Sequence, residues 1–155
     1  IHQDMRTILK TGLSERIVLP LPPQNPYAQQ MFPASNGNTH LLWLDANAEG
    51  EVRLYSALVT PEMKVARGPT LISDEITRRY AVMPNSDGSL WVVSSGGLAI
   101  EPSLYARLID PQGRPGLENI YQIERDADWP TRVWANDRKI YLYWRRLIIF
   151  NLHRV

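Results

Sequence analysis

The sequence predicts an all-β protein assembled from a repeated, four-stranded antiparallel sheet. Short β-branched and aromatic runs follow Asn-Gly and Asp-Gly pairs, which favour hairpins because these residues tolerate positive φ. Two different sequence elements also recur with an offset close to 50 residues. The chain has 155 residues, 44% of them hydrophobic, which is enough for the core of one domain or of part of a repeat array.

The first repeated element is a turn followed by an apolar strand. It occurs at residues 35–44 (SNGNTHLLWL), 85–93 (NSDGSLWVV) and 136–143 (NDRKIYLY). We align the three copies on Trp43, Trp91 and Tyr141, which gives spacings of 48 and 50 residues. These aromatic residues are expected to occupy equivalent places and to pack the core between successive sheets.

The second repeated element is a strand that ends at a proline. Residues 54–61 (LYSALVTP) match residues 104–111 (LYARLIDP) at an offset of 50, with identical Leu, Tyr, Leu and Pro positions. Proline lacks a backbone N–H, so the ladder is expected to stop at Pro61 and Pro111.

The remaining strands and turns of each repeat are predicted from the segments beside the two repeated elements. The first strands are expected at residues 30–32, 80–83 and 131–134, and the last strands near 71–72 and 120–123. Turns are expected at Glu49-Gly50, Gly96-Gly97 and Gln112-Gly113. One repeat is then about four strands in about 50 residues, the size of a β-propeller blade. The predicted blades span residues 30–75, 78–124 and 129–155.

The two ends of the chain differ from the repeat. Residues 1–29 are expected to hold a short helix over 1–12, an orphan outer strand at 15–20 and a Pro-rich connector at 21–26. At the other end, residues 147–152 are expected to form a third strand with no fourth. Because propellers need at least four blades, we expect a homodimer whose termini complete a six-bladed ring. The alternatives are a fragment of a longer propeller and a β-sandwich.

Two segments carry a family resemblance. Residues 87–93 (DGSLWVV) resemble the turn and strand of bacterial sensor-type propellers, and residues 104–115 (LYARLIDPQGRP) resemble sialidase-like repeats. The chain is therefore similar to members of the β-propeller superfamily. This resemblance implies a module of a larger bacterial sensor or surface protein, outside the cytoplasm, although the residues themselves identify neither subfamily nor compartment.

Composition excludes several classes of function. The 17 basic and 16 acidic residues nearly cancel, which disfavours a nucleic acid partner, and the absence of cysteine excludes disulfides, thiolate metal sites and thiol nucleophiles. No run of 18 apolar residues is present. The sequence also contains no phosphate loop, nucleophile elbow or other cofactor motif.

Three arginines are the first candidate ligand-binding residues. Arg78, Arg79 and Arg132 fall just before or within innermost strands, which line the central channel of a propeller. Converging guanidinium groups hold carboxylates bidentately, so we expect an anion site there, with salt bridges to nearby acidic residues as the alternative.

Three tryptophans are the second candidate set. Trp129, Trp134 and Trp144 lie outside the alignment of the repeat aromatics. A tryptophan near a loop can stack on a sugar or a peptide, which makes these residues candidates for carbohydrate or peptide binding.

No metal site and no catalytic residue are predicted. His2, His40 and His153 lack ligand spacing, and His40 is expected to have a packing or surface role. Asp126 and Asp128 alternate in a manner compatible with Ca²⁺, but without the glycine and distal glutamate of a calcium loop, so a solvated loop is favoured. The sequence therefore favours a non-catalytic recognition module over a sialidase-like glycoside hydrolase or a carbohydrate-binding lectin.

Overall fold

The described part of the protein is all-β. The computed structural model describes residues 26–73, 75–98, 101–116, 121–125, 127–136 and 139–146. In these ranges there are ten strands, and the one helical element is a short 3-10 turn at Ser35–Gly37. No helix in the described ranges has the length and apolar character of a membrane span. The expected helix over 1–12 and the expected strands at 15–20 and 147–152 lie outside the described residues.

The strands form two four-stranded sheets and one two-stranded sheet, all antiparallel. The first sheet contains β1 (Tyr27–Pro33), β2 (Thr39–Ala46), β3 (Val52–Val59) and β4 (Val65–Leu71). The second contains β5 (Thr77–Pro84), β6 (Leu90–Leu98), β7 (Glu101–Ile109) and β8 (Tyr121–Arg125). The third contains β9 (Ala127–Asn136) and β10 (Lys139–Arg146). Within each sheet the strands lie side by side in chain order.

The element that ends at a proline recurs in the structure as it does in the sequence. The N–H of Thr60 donates to the carbonyl of Lys64 at 2.8 Å, and the N–H of Asp110 donates to that of Arg114 at 2.9 Å. Each ladder ends before its proline, at Val59 and Ile109 respectively. The predicted strand ends are confirmed, because proline can occupy the turn but cannot donate to the ladder.

The pairing of the strands fixes the register between the first two repeats. Thr39 lies opposite Val59, and Leu90 lies opposite Ile109. Val59 and Ile109 are the last strand residues of the two copies of the element that ends at a proline. Thr39 of β2 is therefore equivalent to Leu90 of β6.

The alignment of the repeat aromatics is consequently wrong. Counting along the strands from Thr39 and Leu90, Trp43 is equivalent to Ser94, and Trp91 is equivalent to His40. The predicted register is in error by an odd number of residues, and side chains alternate along a strand, so the two tryptophans lie on opposite sheet faces.

The third repeat aromatic is not tested in the same way. Tyr141 belongs to β10 and lies opposite Trp134 of β9. The strand expected to pair with the free side of β10, at residues 147–152, lies outside the described residues. The equivalence of Tyr141 therefore remains a prediction.

The turn expected at Gly96-Gly97 is also wrong. Both glycines lie inside β6, where they pair with Ser103 and Pro102 of β7. The connection between these strands lies at residues 99–100, which are not described. The pair of glycines favours a turn by composition, but the backbone at both positions continues the ladder.

The first and second sheets stack face to face. Leu42, Leu44 and Leu54 point from the first sheet towards the second, and we call this side the inner face of the first sheet. The core cluster between the sheets is completed by Ile72, Tyr80, Leu90, Val92 and Ile109. The outer face of the first sheet carries a second cluster, formed by Leu41, Trp43, Ala57 and Tyr55. β9 of the third sheet lies beside β5, β6 and β7.

Tyr80 connects the two stacked sheets by a hydrogen bond. Its hydroxyl lies within hydrogen-bonding distance of the carbonyl oxygen of Ala28 and at 3.2 Å from that of Leu42. Burial raises the pKa of Tyr80, so the hydroxyl keeps its proton and remains a donor. One O–H therefore serves two carbonyls of the neighbouring sheet.

Replacing Tyr80 with phenylalanine is expected to lower the free energy of unfolding by about 1–2 kcal/mol, because the carbonyls lose their shared donor while the ring remains. Urea denaturation measures this change. Tyr27, which is 42% exposed, provides the matched control. The change Tyr27→Phe should alter stability by less than about 0.5 kcal/mol. Equal effects of the two substitutions would show that Tyr80 contributes no hydrogen bond to the stacking.

Candidate functional site

A small polar cleft lies against the face of the second sheet that packs towards the first. Its volume is about 100 Å³. Ile72, Ser73 and Glu75 of the connection between β4 and β5 line one side of it, and residues of β6 and β7 line the other. The lining residues are Ile72, Ser73, Glu75, Val92, Ser94, Tyr105, Ala106 and Arg107.

The floor of the cleft carries hydroxyl and guanidinium groups side by side. Ser94 lies directly opposite Tyr105 in the pairing of β6 with β7, and Arg107 lies opposite Val92. Tyr105 and Arg107 are two residues apart on one strand, so they share a face. Ser94 is 5% exposed and Arg107 is 9% exposed, which places both groups where water screens charges weakly.

The rim of the cleft is held by hydrogen bonds within the connection. The N–H of Glu75 lies 3.3 Å from the hydroxyl oxygen of Ser73. The hydroxyl of Thr77 donates to the carbonyl oxygen of Glu75 at 3.1 Å. These contacts fix the backbone that carries Glu75, an exposed residue that belongs to the lining.

The arginines predicted from the sequence lie elsewhere. Arg78 and Arg79 belong to β5, where Arg78 is half-buried and Arg79 is exposed, and both have interactions within the protein. Arg132 lies in β9, opposite Tyr143 and on the strand beside β5, and its side chain lies outside the described residues. Among the described side chains, neither Arg78 nor Arg79 lines the cleft, and a shared anion site at the three arginines remains a prediction.

Arg107 was missed by the sequence analysis although a signal for it exists. In the element that ends at a proline, Arg107 stands where the first repeat has Ala57. A charged residue at a position that is apolar in the sister repeat is informative, because such a residue is buried only with partners.

The candidate tryptophans belong to the third sheet. Trp134 lies opposite Tyr141, and Trp144 lies opposite Pro130, in the pairing of β9 with β10; Trp129 precedes Pro130 in β9. The side chains of these strands lie outside the described residues. A role in stacking on a sugar or a peptide therefore remains a prediction.

The acidic segment 124–128 is not a loop in its described part. Glu124 belongs to β8. Asp128 belongs to β9 and lies opposite Arg145 in the backbone ladder with β10, and Asp126 itself is not described. The expected solvated loop is therefore wrong at the described positions, because the second and third sheets follow each other almost without a connection. Among the described residues, no group of three His, Asp or Glu side chains is placed to hold a metal ion.

His40 lies at the contact between the first and second sheets. Its Nε2 is 2.8 Å from the carbonyl oxygen of Gly88, in the turn between β5 and β6. A carbonyl only accepts, so Nε2 carries the proton and Nδ1 is an acceptor. Nδ1 is buried and has no hydrogen-bond partner. Burial lowers the pKa of His40, against the smaller opposing effects of the Gly88 carbonyl and of Asp110.

Stability is expected to fall as the pH drops below about 6.5, the pKa of an unfolded histidine. Between this pH and the lower pKa of folded His40, the unfolded chain binds a proton that the folded protein does not. The slope attributable to His40 is at most about 1.4 kcal/mol per pH unit, and the contribution becomes constant about one pH unit above the unfolded pKa. Urea denaturation from pH 8 to pH 5 measures it.

The control for this pH dependence is the change His40→Gln, whose amide N–H can still donate to Gly88 but does not titrate. The variant retains His2, His153 and the carboxyl groups of Glu51, Glu62 and Asp87, whose pKa values are lowered in the fold, so any slope that persists belongs to groups such as these and not to residue 40. A slope unchanged by the substitution would contradict a neutral, buried His40.

Neither a protein-family model, nor a curated protein, nor a solved structure matches the chain.

Proposed function

We propose that the chain is a non-catalytic recognition module whose sheets stack as blades of a β-propeller. The observation that supports this proposal is that the first and second sheets contact each other through faces that are not equivalent. The face of the second sheet that packs on the first carries Val92 and Ser94. In the register given by the strand pairing, these positions correspond to Leu41 and Trp43 on the outer face of the first sheet. The first sheet therefore packs on the second with one kind of face, and the second packs on the first with the other kind.

When sheets stack through two different faces, the first and the last sheet each keep one uncovered face unless the stack forms a ring. A ring of blades achieves this closure, and propellers have at least four blades. The described residues contain two four-stranded sheets and the beginning of a third. We infer that a second copy of the chain supplies the remaining blades, giving six in all; the remainder of a longer propeller is the alternative source.

The recognition role is supported by the chemistry of the cleft. Among the described residues that line it, Glu75 is the one carboxylate. Most glycoside hydrolases use a pair of carboxyl groups that flank the scissile bond, which the described lining of the cleft does not supply. A sialidase instead uses a tyrosine nucleophile, so that alternative is decided by the sialoside assay below. In this proposal a rigid stack of sheets presents its loops and clefts to a ligand, as part of a larger bacterial sensor or surface protein.

A fluorogenic sialoside assay and a glycan array test the role against its two alternatives. The full chain is expected to release no fluorophore above the buffer rate. Turnover that disappears on replacing Glu75 with glutamine would overturn the non-catalytic role. Saturable glycan binding that disappears when Trp129, Trp134 or Trp144 is replaced by alanine would favour the lectin.

A further inference from the structure

The outer face of the first sheet is buried although neither of the other two described sheets packs on it. Leu41 is 9% exposed, and Trp43 and Ala57 are each 3% exposed. Among the described residues, the apolar side chains of this cluster all belong to β2 and β3. The second sheet packs on the opposite, inner face, and the third sheet lies beside the second. A tryptophan on a face open to water would not be buried to this extent, so a further layer covers the outer face.

The indole of Trp43 indicates what kind of layer this is. Its Nε1 is buried and has no hydrogen-bond partner. An indole N–H is a donor that water satisfies wherever water reaches it, so water is excluded here. The ring stacks on Tyr55 with a centroid separation of 5.9 Å and an interplanar angle of 19°. The covering layer is therefore apolar where it meets Trp43.

The length of the chain excludes the segment after β10 as the cover. Stacked sheets lie about 10 Å apart, so a layer above the first sheet is about 30 Å from the third sheet, which lies beyond the second. Residues 147–152 directly follow Arg146 of the third sheet, and six extended residues span at most about 20 Å. The undescribed stretches between strands are at most four residues long and are tied to strands at both ends.

The segment before β1 is long enough to reach this face. Tyr27, the first residue of β1, lies opposite Leu44, the chain neighbour of Trp43. The connector at 21–26 contains three prolines, and six residues of polyproline II span about 19 Å. A layer above the adjacent strand is only about 11 Å away, because strands lie about 5 Å apart and layers about 10 Å apart.

Residues 15–20 (ERIVLP) have the composition that this face requires. The run Ile-Val-Leu at 17–19 is apolar, and the one acidic and the one basic residue before it cancel in charge. Apolar side chains are the partners that a cluster of leucine, alanine and stacked aromatic rings accepts without cost. We propose that residues 15–20 lie as a strap across the outer face of the first sheet of their own chain, over Trp43.

The strap and the ring of the proposed function compete for the same face. In the ring, the outer face of the first sheet receives the third sheet of the second copy, and residues 15–20 complete that sheet. In the single chain the same residues cover the face themselves. The strap is thus an autoinhibitory contact that a second copy displaces. This consequence rests on the proposed function, whereas the position of the strap does not.

An engineered disulfide tests the position of the strap, because the chain contains no cysteine of its own. Chains carrying Ala57→Cys with either Ile17→Cys or Val18→Cys are refolded from urea by dilution into a glutathione redox buffer, so that each chain folds before it meets a second. Neighbouring residues of an extended strap point to opposite sides, so one of the two pairs is expected to form an intramolecular disulfide.

The matched control pairs the same strap cysteines with Glu62→Cys, at an exposed residue in the turn between β3 and β4. The control closes a loop of nearly the same length, so the entropic cost of closing it is the same. The yield with Ala57→Cys is expected to exceed that of the control at least about tenfold, because the strap raises the effective concentration of one thiol at the other.

A second position keeps the test valid if the Ala57→Cys variants fail to fold. Leu41 lies opposite Ala57 in the ladder of β2 with β3, so Leu41→Cys places a thiol at the same part of the face. Yields no higher than the control at both positions would overturn the proposal. A disulfide that forms only between two chains would also overturn it, because the cover would then belong to a second copy.

Light scattering on the cross-linked chain separates this proposal from the proposed function. With the disulfide in place the molar mass is expected to be that of one chain, 17.8 kDa, and to double after reduction. If the disulfide forms but the reduced chain stays monomeric, the strap stands and the dimeric ring is wrong. If the reduced chain is a dimer and no intramolecular disulfide forms, the ring stands and the strap is wrong. A cross-linked chain that still forms dimers would overturn the autoinhibition.

Discussion

Replacing Leu42 with alanine is expected to lower the free energy of unfolding by roughly 3–5 kcal/mol, the cost of emptying a well-packed leucine site. Leu42 is 0% exposed and belongs to the cluster that joins the first and second sheets. The substitution removes three carbon atoms from a site with residues of both sheets on its sides. The loss therefore acts on the stacking of the sheets as well as on the first sheet itself.

Urea denaturation followed by tryptophan fluorescence and by circular dichroism measures the effect. Both signals should report a single transition at a lower midpoint in the variant, because the two sheets share one core. Met31, on β1 of the same sheet, is 52% exposed and provides the control. Met31→Ala should cost less than about 1 kcal/mol. A Leu42→Ala effect as small as that of the control would mean that the sheets do not pack on each other as described.

Replacing Gly88 with alanine is expected to cost about 2–4 kcal/mol, from backbone strain and from a collision between the sheets. Gly88 has a φ of +83°, in the left-handed region. A Cβ added there would lie 2.7 Å from the backbone nitrogen of Ser35 and 3.0 Å from the carbonyl carbon of Ala34. Both are backbone atoms of the first sheet's turn, so neither can move away cheaply.

The change Gly50→Ala separates the cost of backbone strain from the cost of the collision. It occupies the corresponding place in the turn between β2 and β3, with a φ of +79° and no atom within 4 Å of an added Cβ. Gly50→Ala should therefore cost only about 1 kcal/mol, the strain alone. Equal losses for the two variants in urea denaturation would contradict the close approach of the two turns.

The turns that contain Gly50, Gly88 and Gly113 were predictable because their chemistry is local. Gly50, Gly88 and Gly113 all adopt positive φ in five-residue turns, and Pro61 and Pro111 follow the last residues of their strands closely. These residues restrict φ or remove a donor by themselves, without reference to the rest of the chain. The strands are the short segments between these turns, which is why the all-β prediction was confirmed.

The register of the aromatics was not predictable from identity alone. Matching Trp43 to Trp91 ignores that a shift by an odd number of residues exchanges the faces of a strand. Aligning the turn glycines instead, Gly37 with Gly88, gives the register that the pairing shows. The turn glycines were therefore a better guide than the aromatic side chains to which residues of the two repeats are equivalent.

The cleft was missed because it arises from differences between the repeats. The sequence analysis sought what the repeats share, whereas the cleft depends on the exchanges of Trp43 for Ser94 and of Ala57 for Arg107. The correct register is needed before either exchange is visible. Its polar rim also depends on the connection through Ser73 and Glu75, whose position follows from sheet stacking and not from local sequence.

Static light scattering on the full chain is the most direct test of the claim that stacked sheets are completed into a ring by a second copy. The account predicts a molar mass of twice the 17.8 kDa of one chain, unchanged on dilution through the micromolar range. A mass of 17.8 kDa at every concentration, in a sample whose circular dichroism retains its β-sheet signal, would contradict it.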